Sequence, residues 1–388
     1  VGMADSIMVA NVGEAAVSGV SLVDNIMILI INIFAALATG GAVVAGQYIG
    51  RKDEKSACKA ATQLVWFVSL SAVAIMILVY FGKDIILNQV FGHITAEVIV
   101  TASIPFIALY NGGAAIFRAM GNSQVSMRVS LLMNAINVIG NAILVFGLRI
   151  GTAGVAIPTL ISRMVAAIVI TVLLCNQTRI LHIERTLKIR FDGRMIRKIL
   201  AIGVPNGLEN SMFQLGKILV LSLVSTFGTY AIAANAVSNA IALFQILPGM
   251  AISLAITTVI SQCVGANDYE QVRYYLKKLL AIIYVAMVGT VALIFLALPL
   301  ILKAYNLSDQ TAAAATNIIH FHGISAMIIW PLSFALPAAY RAAGDAKACM
   351  YTSIVSMWIF RIGFSYLVGK YMGLGVFDFG KWCWYGGI

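Results

Sequence analysis

Asp5 and Glu209 are carboxylates that lie within long apolar stretches of this 388-residue chain, where ionisable groups are rare. Asp5 is followed by the apolar run IMVA, and Glu209 lies in the stretch GVPNGLENSMFQLGK. A charge inside an apolar span is costly, so it is a candidate functional group by default. A carboxylate at Asp5 could bind Na⁺ or, when buried, take up a proton. The alternative is an exposed Asp5 at the start of the sequence.

Three amides could serve as partners for a cation held by Asp5. Asn134, Asn137 and Asn141 follow one another at spacings of three and four residues, which places them on one face of a helix. Amides that faced lipid would be costly, so this face must meet protein or water. Thr159 adds a hydroxyl from the next apolar segment. Ordinary hydrogen bonding between helices is an equal alternative for all these groups.

Glu209 has neighbours that favour an amphipathic ligand. A proline lies about one turn before it, and a proline bends a helix and leaves a carbonyl unpaired, so nearby backbone tends to face a cavity. Phe213 and, less closely, Gln214 share its helix face. A buried carboxylate beside Met and Phe suits a lipophilic cation. The alternative is a salt bridge from Glu209 to Lys217 or Arg361.

The composition determines which kind of fold must position these groups. The chain is 61% hydrophobic and 11% charged, with a mean hydropathy of +0.95. Soluble domains carry about a quarter charged residues, so most of this chain must be surrounded by lipid. Apolar spans of 20 or more residues recur, unlike the short alternating segments of a β-barrel. The sequence therefore predicts an all-α membrane protein.

Hydropathy and turn residues predict ten complete membrane helices and two partial ones. The predicted helices cover residues 1–11, 18–47, 60–82, 96–117, 129–147, 153–175, 199–227, 231–262, 279–302, 312–340 and 349–369, and a twelfth begins near the end of the sequence. The only long polar segment is 176–198. We predict an N-terminal lobe at 1–175, a basic linker at 176–198 and a C-terminal lobe at 199–388.

The distribution of basic residues predicts the orientation of these helices in the membrane. The net charge is +11, yet 18 of the 26 Lys and Arg fall in one alternate set of loops and their edges. This is the positive-inside pattern of a protein in the cell inner membrane, and it predicts a cytoplasmic linker. The same distribution argues against nucleic acid as a partner.

Both halves of the chain repeat several residues in the same order. At an offset of 215, Gly13, Gln47, Gly50 and Asp53 correspond to Gly228, Gln262, Gly265 and Asp268. At an offset of 223, Arg118, Ala119, Gly121, Met127 and Gly140 correspond to Arg341, Ala342, Gly344, Met350 and Gly363. Parallel repeats of this kind are typical of transporters with a binding cleft between two halves. The alternative is chance matching among apolar helices.

Stretches along nearly the whole chain resemble the multidrug and toxic compound extrusion (MATE) family. They are GMADSIMVANVGEAAVSGVSL, VAGQYIGRKDEKSA, FRAMGNSQ, NVIGNAILVFG, GTAGVAIPTLISR, GVPNGLENSMFQLGKILV, AIAANAVSN, VISQCVGANDYEQ and YRAAGDAK. The resemblance implies twelve helices in two pseudo-symmetric six-helix bundles. It also implies export of organic cations driven by inward Na⁺ or H⁺.

The resemblance also implies roles for individual residues. Asp5 matches the cation-binding Asp of the first helix, Asn137 and Asn141 match a polar pair on the fifth, and Thr159 matches a polar residue on the sixth. Some members have Asp where this chain has Asn141, which leaves the ion open. Glu209 is similar to an acid on helix 7 of part of the family, and no acid lies in the predicted tenth helix.

We therefore expect a secondary transporter that works by alternating access. Its partners are lipophilic cations and membrane lipids, it needs no cofactor beyond Na⁺ or H⁺, and it is a monomer and not an enzyme. Neutralisation of Asp5 would change how the first helix packs, and Glu209 would be the counter-charge for the drug. The alternatives are a flippase for lipid-linked oligosaccharides, an intramembrane enzyme and a receptor that transports nothing.

Overall fold

The structure is a computed structural model that describes residues 14–86, 95–148, 153–183, 191–224, 226, 228–305 and 307–367. All regular elements in these ranges are helices, which confirms the predicted all-α fold. Asp5 lies outside the described residues.

Twelve α-helices and three π-helical segments make up these ranges. The α-helices are α1 (Glu14–Gly50), α2 (Glu54–Ile86), α3 (Thr95–Ala102), α4 (Ile104–Ala119), α5 (Ser123–Asn141), α6 (Ala153–Leu174), α7 (Gly193–Val224), α8 (Thr229–Gly265), α9 (Tyr269–Ala304), α10 (Asp309–Trp330), α11 (Leu336–Ala343) and α12 (Ala346–Ser356). The π-helical segments are Ala142–Gly147, Pro331–Ala335 and Met357–Phe364.

The chain divides into two compact units, Val1–Gly207 and Leu208–Ile388. In the first unit α1 packs against α2 and α4, α4 packs against α6, and α5 packs against α6. In the second unit α8 packs against α9, α10 and α11. The division falls within α7, which begins at Gly193 and therefore includes the last residues of the predicted linker 176–198.

Eight helical spans are long and apolar enough to cross a membrane within the described part of the chain. They are Met27–Gly50, Glu54–Phe81, Ile99–Ala119, Ser123–Val145, Ala153–Leu174, Tyr230–Gly265, Tyr269–Lys303 and Asp309–Ala343. The predicted spans 199–227 and 349–369 are also helical over most of their length, but their apolar sequence contains charged residues such as Glu209 and Arg361.

Turns in the two units share the same local geometry. Lys52 and Asn267, which are 215 positions apart, are the only non-glycine residues with positive φ among those described, at 58° and 57°. The next residue in each unit is an Asp whose Oδ1 accepts a 3.0 Å hydrogen bond from the backbone N–H three residues later. Gly121 and Gly344, at the offset of 223, have φ of 79° and 105°. The repeat predicted from the sequence therefore extends to backbone conformation.

Each π-helical segment lies at or beside a residue that the sequence singles out or that contacts one. Ala142–Gly147 begins directly after Asn141, Met357–Phe364 contains Arg361, and Pro331–Ala335 contains Phe334. A π-helical turn widens the hydrogen-bond ladder and is frequent at functional sites. One of these segments therefore lies beside Asn141 in the first unit, and the other two lie around Phe213 and Arg361 in the second.

Candidate functional site

A buried polar cluster joins α5 to α6 in the first unit. Asn137 Nδ2 donates to Thr159 Oγ1 at 3.0 Å, and Asn141 Nδ2 donates to Asn137 Oδ1 at 3.3 Å. Thr159 Oγ1 in turn donates to the carbonyl of Val155 at 2.8 Å. Asn137 and Asn141 are at most 1% exposed and Thr159 is 8% exposed. The three residues predicted to act together are therefore in one hydrogen-bonded chain.

Close contact between two helix backbones makes this chain of hydrogen bonds geometrically feasible. A Cβ on Gly140 would lie 2.7 Å from Cβ of Pro158, so α5 and α6 touch at a point where only glycine fits. Gly140 directly precedes Asn141, and Pro158 directly precedes Thr159. The polar side chains are thus held next to this tight contact between the two helices. Asn134 lies on the same helix, but it is only half-buried.

Amide oxygens and a hydroxyl are suitable ligands for a hard cation such as Na⁺. All three side chains are uncharged, so a cation bound here would need a carboxylate from elsewhere to balance its charge. Asp5 is the residue that the resemblance assigns to this role. The described residues contain no group of three His, Cys, Asp or Glu placed to hold a metal ion.

Glu209 is paired with an arginine in the second unit. Arg341 Nη1 donates to both carboxylate oxygens of Glu209, at 3.3 and 3.2 Å, and Ser353 Oγ donates to Oε1 at 2.9 Å. The two charged side chains are 16% and 17% exposed. A salt bridge was one of the expected alternatives, but its partner is Arg341 rather than Lys217 or Arg361.

Two cations instead lie over the ring of Phe213. Lys217 Nζ is 5.0 Å and Arg361 Cζ is 4.8 Å from the ring centroid. Phe213 also contacts Phe334 edge to face, with 5.9 Å between the ring centroids, and Phe334 stacks on Trp330 with 5.4 Å between the centroids. Gln214, the third residue proposed for substrate, is half-buried beside Phe213.

A family comparison bears on both clusters. The family model described as MatE matches residues 1–143 and 205–367, which together cover most of the chain. This chain belongs to the MatE family. The matched stretches include Asp5 and Asn137 in the first unit and Glu209 and Arg361 in the second. Membership makes the protein a multi-pass membrane transporter, as the resemblance implied.

Related proteins match this MatE family chain over nearly all its length. The uncharacterized transporter YisQ of Bacillus subtilis is 27% identical, over 97% of this chain and 84% of the relative. A probable multidrug resistance protein NorM of Thermotoga maritima is 22% identical, over 98% of this chain and 83% of the relative. A crystal structure of MATE in complex with MaL6 has a TM-score of 0.92 at 20% identity, over 100% of this chain and 88% of that one. The last similarity establishes the MATE fold, with its twelve-helix architecture.

Two side-chain pairs of this MatE protein are not indicated by its sequence. Arg341 is recognisable in the sequence as a basic loop residue and as the repeat match to Arg118, but not as the ion-pair partner of Glu209, which is 132 residues away. His322 and Gln245 were likewise not linked, but His322 Nδ1 lies within hydrogen-bond distance of Gln245 Oε1 and both side chains are buried. No spacing rule indicates either pair, because the partners are on different helices.

Proposed function

We propose that this protein exports amphipathic small molecules, organic cations among them, in exchange for inward Na⁺ or H⁺. The observation that carries the proposal is the buried cluster of Asn137, Asn141 and Thr159 beside a tight contact between α5 and α6. Relatives described as probable multidrug resistance proteins support a role in the export of small molecules. Alternating access between two pseudo-symmetric bundles would carry the cargo.

The ion would act through Asp5 and this cluster. Binding of Na⁺ or a proton neutralises Asp5, and the amide and hydroxyl oxygens of the cluster complete its surroundings. Neutralisation changes the energetic cost of burying the carboxylate and so changes how the first helix packs. Coupling requires that ion and drug have different affinities for the two conformations of the transporter.

Glu209 would be the counter-charge for a cationic substrate, with Phe213 and Gln214 beside it. Its carboxylate already accepts hydrogen bonds from Arg341 and Ser353, so a cation must compete with Arg341 for the same oxygens. Competition of this kind makes binding dependent on conformation, because a movement of α11 that withdraws Arg341 would expose the carboxylate. The substrate site thus has a built-in competitor that a rigid acidic pocket would lack.

We place the protein in the cell inner membrane as a monomer, with the segment 176–198 in the cytoplasm. The support for this orientation is the concentration of Lys and Arg in this segment and in the loops on the same predicted side. Cysteine accessibility in intact cells tests the orientation. A cysteine introduced at 186 in a chain lacking its own cysteines should react with a membrane-impermeant maleimide only after the cells are opened.

Reconstituted vesicles test the proposed exchange. Purified protein in proteoliposomes should move a cationic dye against its gradient when either a Na⁺ gradient or a pH gradient is imposed. Asp5→Asn should abolish this movement, whereas Asp309→Asn, at an exposed carboxylate that begins α10, should leave it intact. Ion-driven dye movement that persists in Asp5→Asn would refute the assignment of Asp5.

A flippase for lipid-linked oligosaccharides is a second candidate, because the cations Lys217 and Arg361 lie together in the second unit. It would translocate a lipid-linked sugar without moving the dye. The same vesicles therefore separate the two functions.

A further inference from the structure

We propose that Lys217 and Arg361 bind the anionic group of an amphipathic substrate, whose apolar body lies on the ring of Phe213. The inference rests on the proposed transport function and extends its substrates to organic anions and zwitterions. Its basis is the excess of positive charge around the ring of Phe213.

The charge at this ring is positive and is not compensated by any acid in the described residues. Both cations lie within 5.0 Å of the Phe213 centroid, and neither forms a salt bridge with a described residue. Glu209, one turn before Phe213, is already neutralised by Arg341. Two like charges held at one ring repel each other, so an anion placed between them would be favoured.

Arg361 carries a buried donor that no described residue satisfies. Its residue is 6% exposed, and its Nε, which is buried, has no hydrogen-bond partner within the described structure. Buried polar atoms are nearly always hydrogen-bonded, and a buried charge without a partner is strongly unfavourable. Arg361 also lies in the π-helical segment Met357–Phe364, a type of distortion that is common where ligands bind.

The site is open on one side and aromatic on the other. Lys217 is exposed and Phe213 is half-buried, so a ligand could reach both from outside the helix packing. Phe213, Phe334 and Trp330 form a continuous series of ring contacts leading toward the core of the unit. A planar apolar body could therefore stack here while its charged group meets the cations.

The chemistry of the two cations indicates the ligand class. A guanidinium binds carboxylate, sulfonate or phosphate oxygens through paired hydrogen bonds, and an ammonium adds a point charge of the same sign. Such a group could belong to a small organic anion or to the headgroup of an anionic lipid. Both sources share the chemistry, and an experiment can tell them apart.

Fluorescence binding with two matched probes tests the site. Full-length protein in neutral detergent should bind the anion 1-pyrenesulfonate more tightly than a pyrene of the same ring that carries a trimethylammonium group. Lys217→Gln and Arg361→Gln should each weaken binding of the anion about tenfold, the effect expected for loss of one charge-assisted hydrogen bond. Lys277→Gln, which removes an exposed lysine near the start of α9, is the matched control and should leave it unchanged.

Three additional measurements keep the test decisive. Arg361→Lys retains the positive charge, so it should recover part of the affinity that Arg361→Gln loses. Phe213→Leu keeps both cations but removes the aromatic ring, so it should weaken the binding of both probes. Competition with phosphatidic acid and, separately, with benzenesulfonate distinguishes a lipid headgroup from a small organic anion. A competitor that displaces the probe only when Lys217 is present supports the anion site and identifies which of the two ligands it binds. Equal affinity for the two probes, or no effect of Lys217→Gln, would overturn the proposal.

Failure of this inference is distinguishable from failure of the proposed function. If the vesicles move cationic dye with the ion gradient but pyrenesulfonate binding ignores Lys217 and Arg361, only the anion site is refuted. If the anion binds as expected but no gradient moves any probe, the exchange mechanism is refuted and the site survives as a binding site.

Discussion

Glu209 shows how far residue-scale reasoning from sequence extends. Its place in an apolar helix after a proline singles it out, and a salt bridge was one expected outcome. The sequence offered Lys217 and Arg361 as partners because both, like Glu209, are ionisable groups within predicted apolar spans, whereas the partner is Arg341. Which of several cations on other helices reaches a carboxylate depends on tertiary packing, which hydropathy does not determine.

The pair of Glu209 and Arg341 predicts a non-additive effect on stability. Glu209→Gln leaves Arg341 unpaired in a site that is 17% exposed, so it should lower the free energy of unfolding by about 1–3 kcal/mol. The double variant Glu209→Gln with Arg341→Gln removes both charges and should be less destabilised than the sum of the two single variants. Thermal unfolding in detergent measures all three, and strict additivity would contradict a direct interaction.

The polar cluster of the first unit was predicted more completely. Helical spacing places Asn137 and Asn141 on one face, and the cost of exposing amides to lipid requires that this face meet other groups. The sequence singles out Thr159 as a polar residue of the next apolar segment, but its hydrogen bond with Asn137 could not be predicted, since no rule of spacing connects α5 to α6. The structure adds the order of the hydrogen bonds.

At the scale of elements, Gly140 determines how closely α5 and α6 approach. In Gly140→Ala the new Cβ would lie 2.7 Å from Cβ and 3.0 Å from Cγ of Pro158, whose ring cannot rotate away. The helices must separate, so we expect a loss of about 1–3 kcal/mol in stability together with slower ion-driven transport. Gly112→Ala in α4 is the control, because a Cβ there meets nothing within 4 Å and should stabilise by up to about 1 kcal/mol. Equal melting temperatures of the two variants would contradict the close-contact argument.

The start of α7 depends on a carboxylate that titrates. Asp192 Oδ1 accepts from the backbone N–H of Arg194 and Met195, and its other oxygen forms a salt bridge with Lys59. The hydrogen bond from Lys59 lowers the pKa of Asp192 below its ordinary value. Since the folded pKa is depressed, this contribution to stability is complete above the unfolded pKa and is lost as the pH falls through the folded pKa.

Acidification from about pH 5 to about pH 3 should therefore lower the melting temperature of the wild type more than that of Asp192→Asn. Asparagine keeps an oxygen that can accept the helix-terminal N–H groups, but it does not titrate. A wild type and a variant that lose stability in parallel over this range would contradict the assignment.

The π-helical segments are the part of the elements that sequence patterns missed. Apolar runs over 129–147, 312–340 and 349–369 predict continuous α-helices, but the structure ends the first run with a π-helical segment and has one within each of the other two. Hydropathy is nearly unaffected by one extra residue in a turn, so it carries no signal of such a distortion. The segments matter because Asn141, Phe334 and Arg361 lie at or in them.

At the scale of the whole molecule, the all-helical membrane fold followed from composition and from the length of the apolar spans, because lipid leaves the backbone few other ways to satisfy its hydrogen bonds. The repeat followed from residue offsets and appears again in the positive φ of Lys52 and Asn267. Pairings between helices, such as Glu209 with Arg341, could not follow from either source. Helical segments and the repeat can thus be predicted from the sequence, whereas contacts between residues on different helices require the tertiary structure.

The most direct test of the account uses the reciprocity of coupling. If ion and cargo compete through linked conformations, an imposed gradient of cationic dye alone must drive Na⁺ or H⁺ across the vesicle membrane in the opposite direction. Thr159→Val, which removes the acceptor of Asn137, should weaken this ion movement, whereas Thr290→Val, which removes a comparable hydroxyl-to-backbone bond in α9, should not. Dye that crosses with no movement of either ion, or ion movement unaffected by Thr159→Val, would contradict the claim that this polar cluster couples export to an ion gradient.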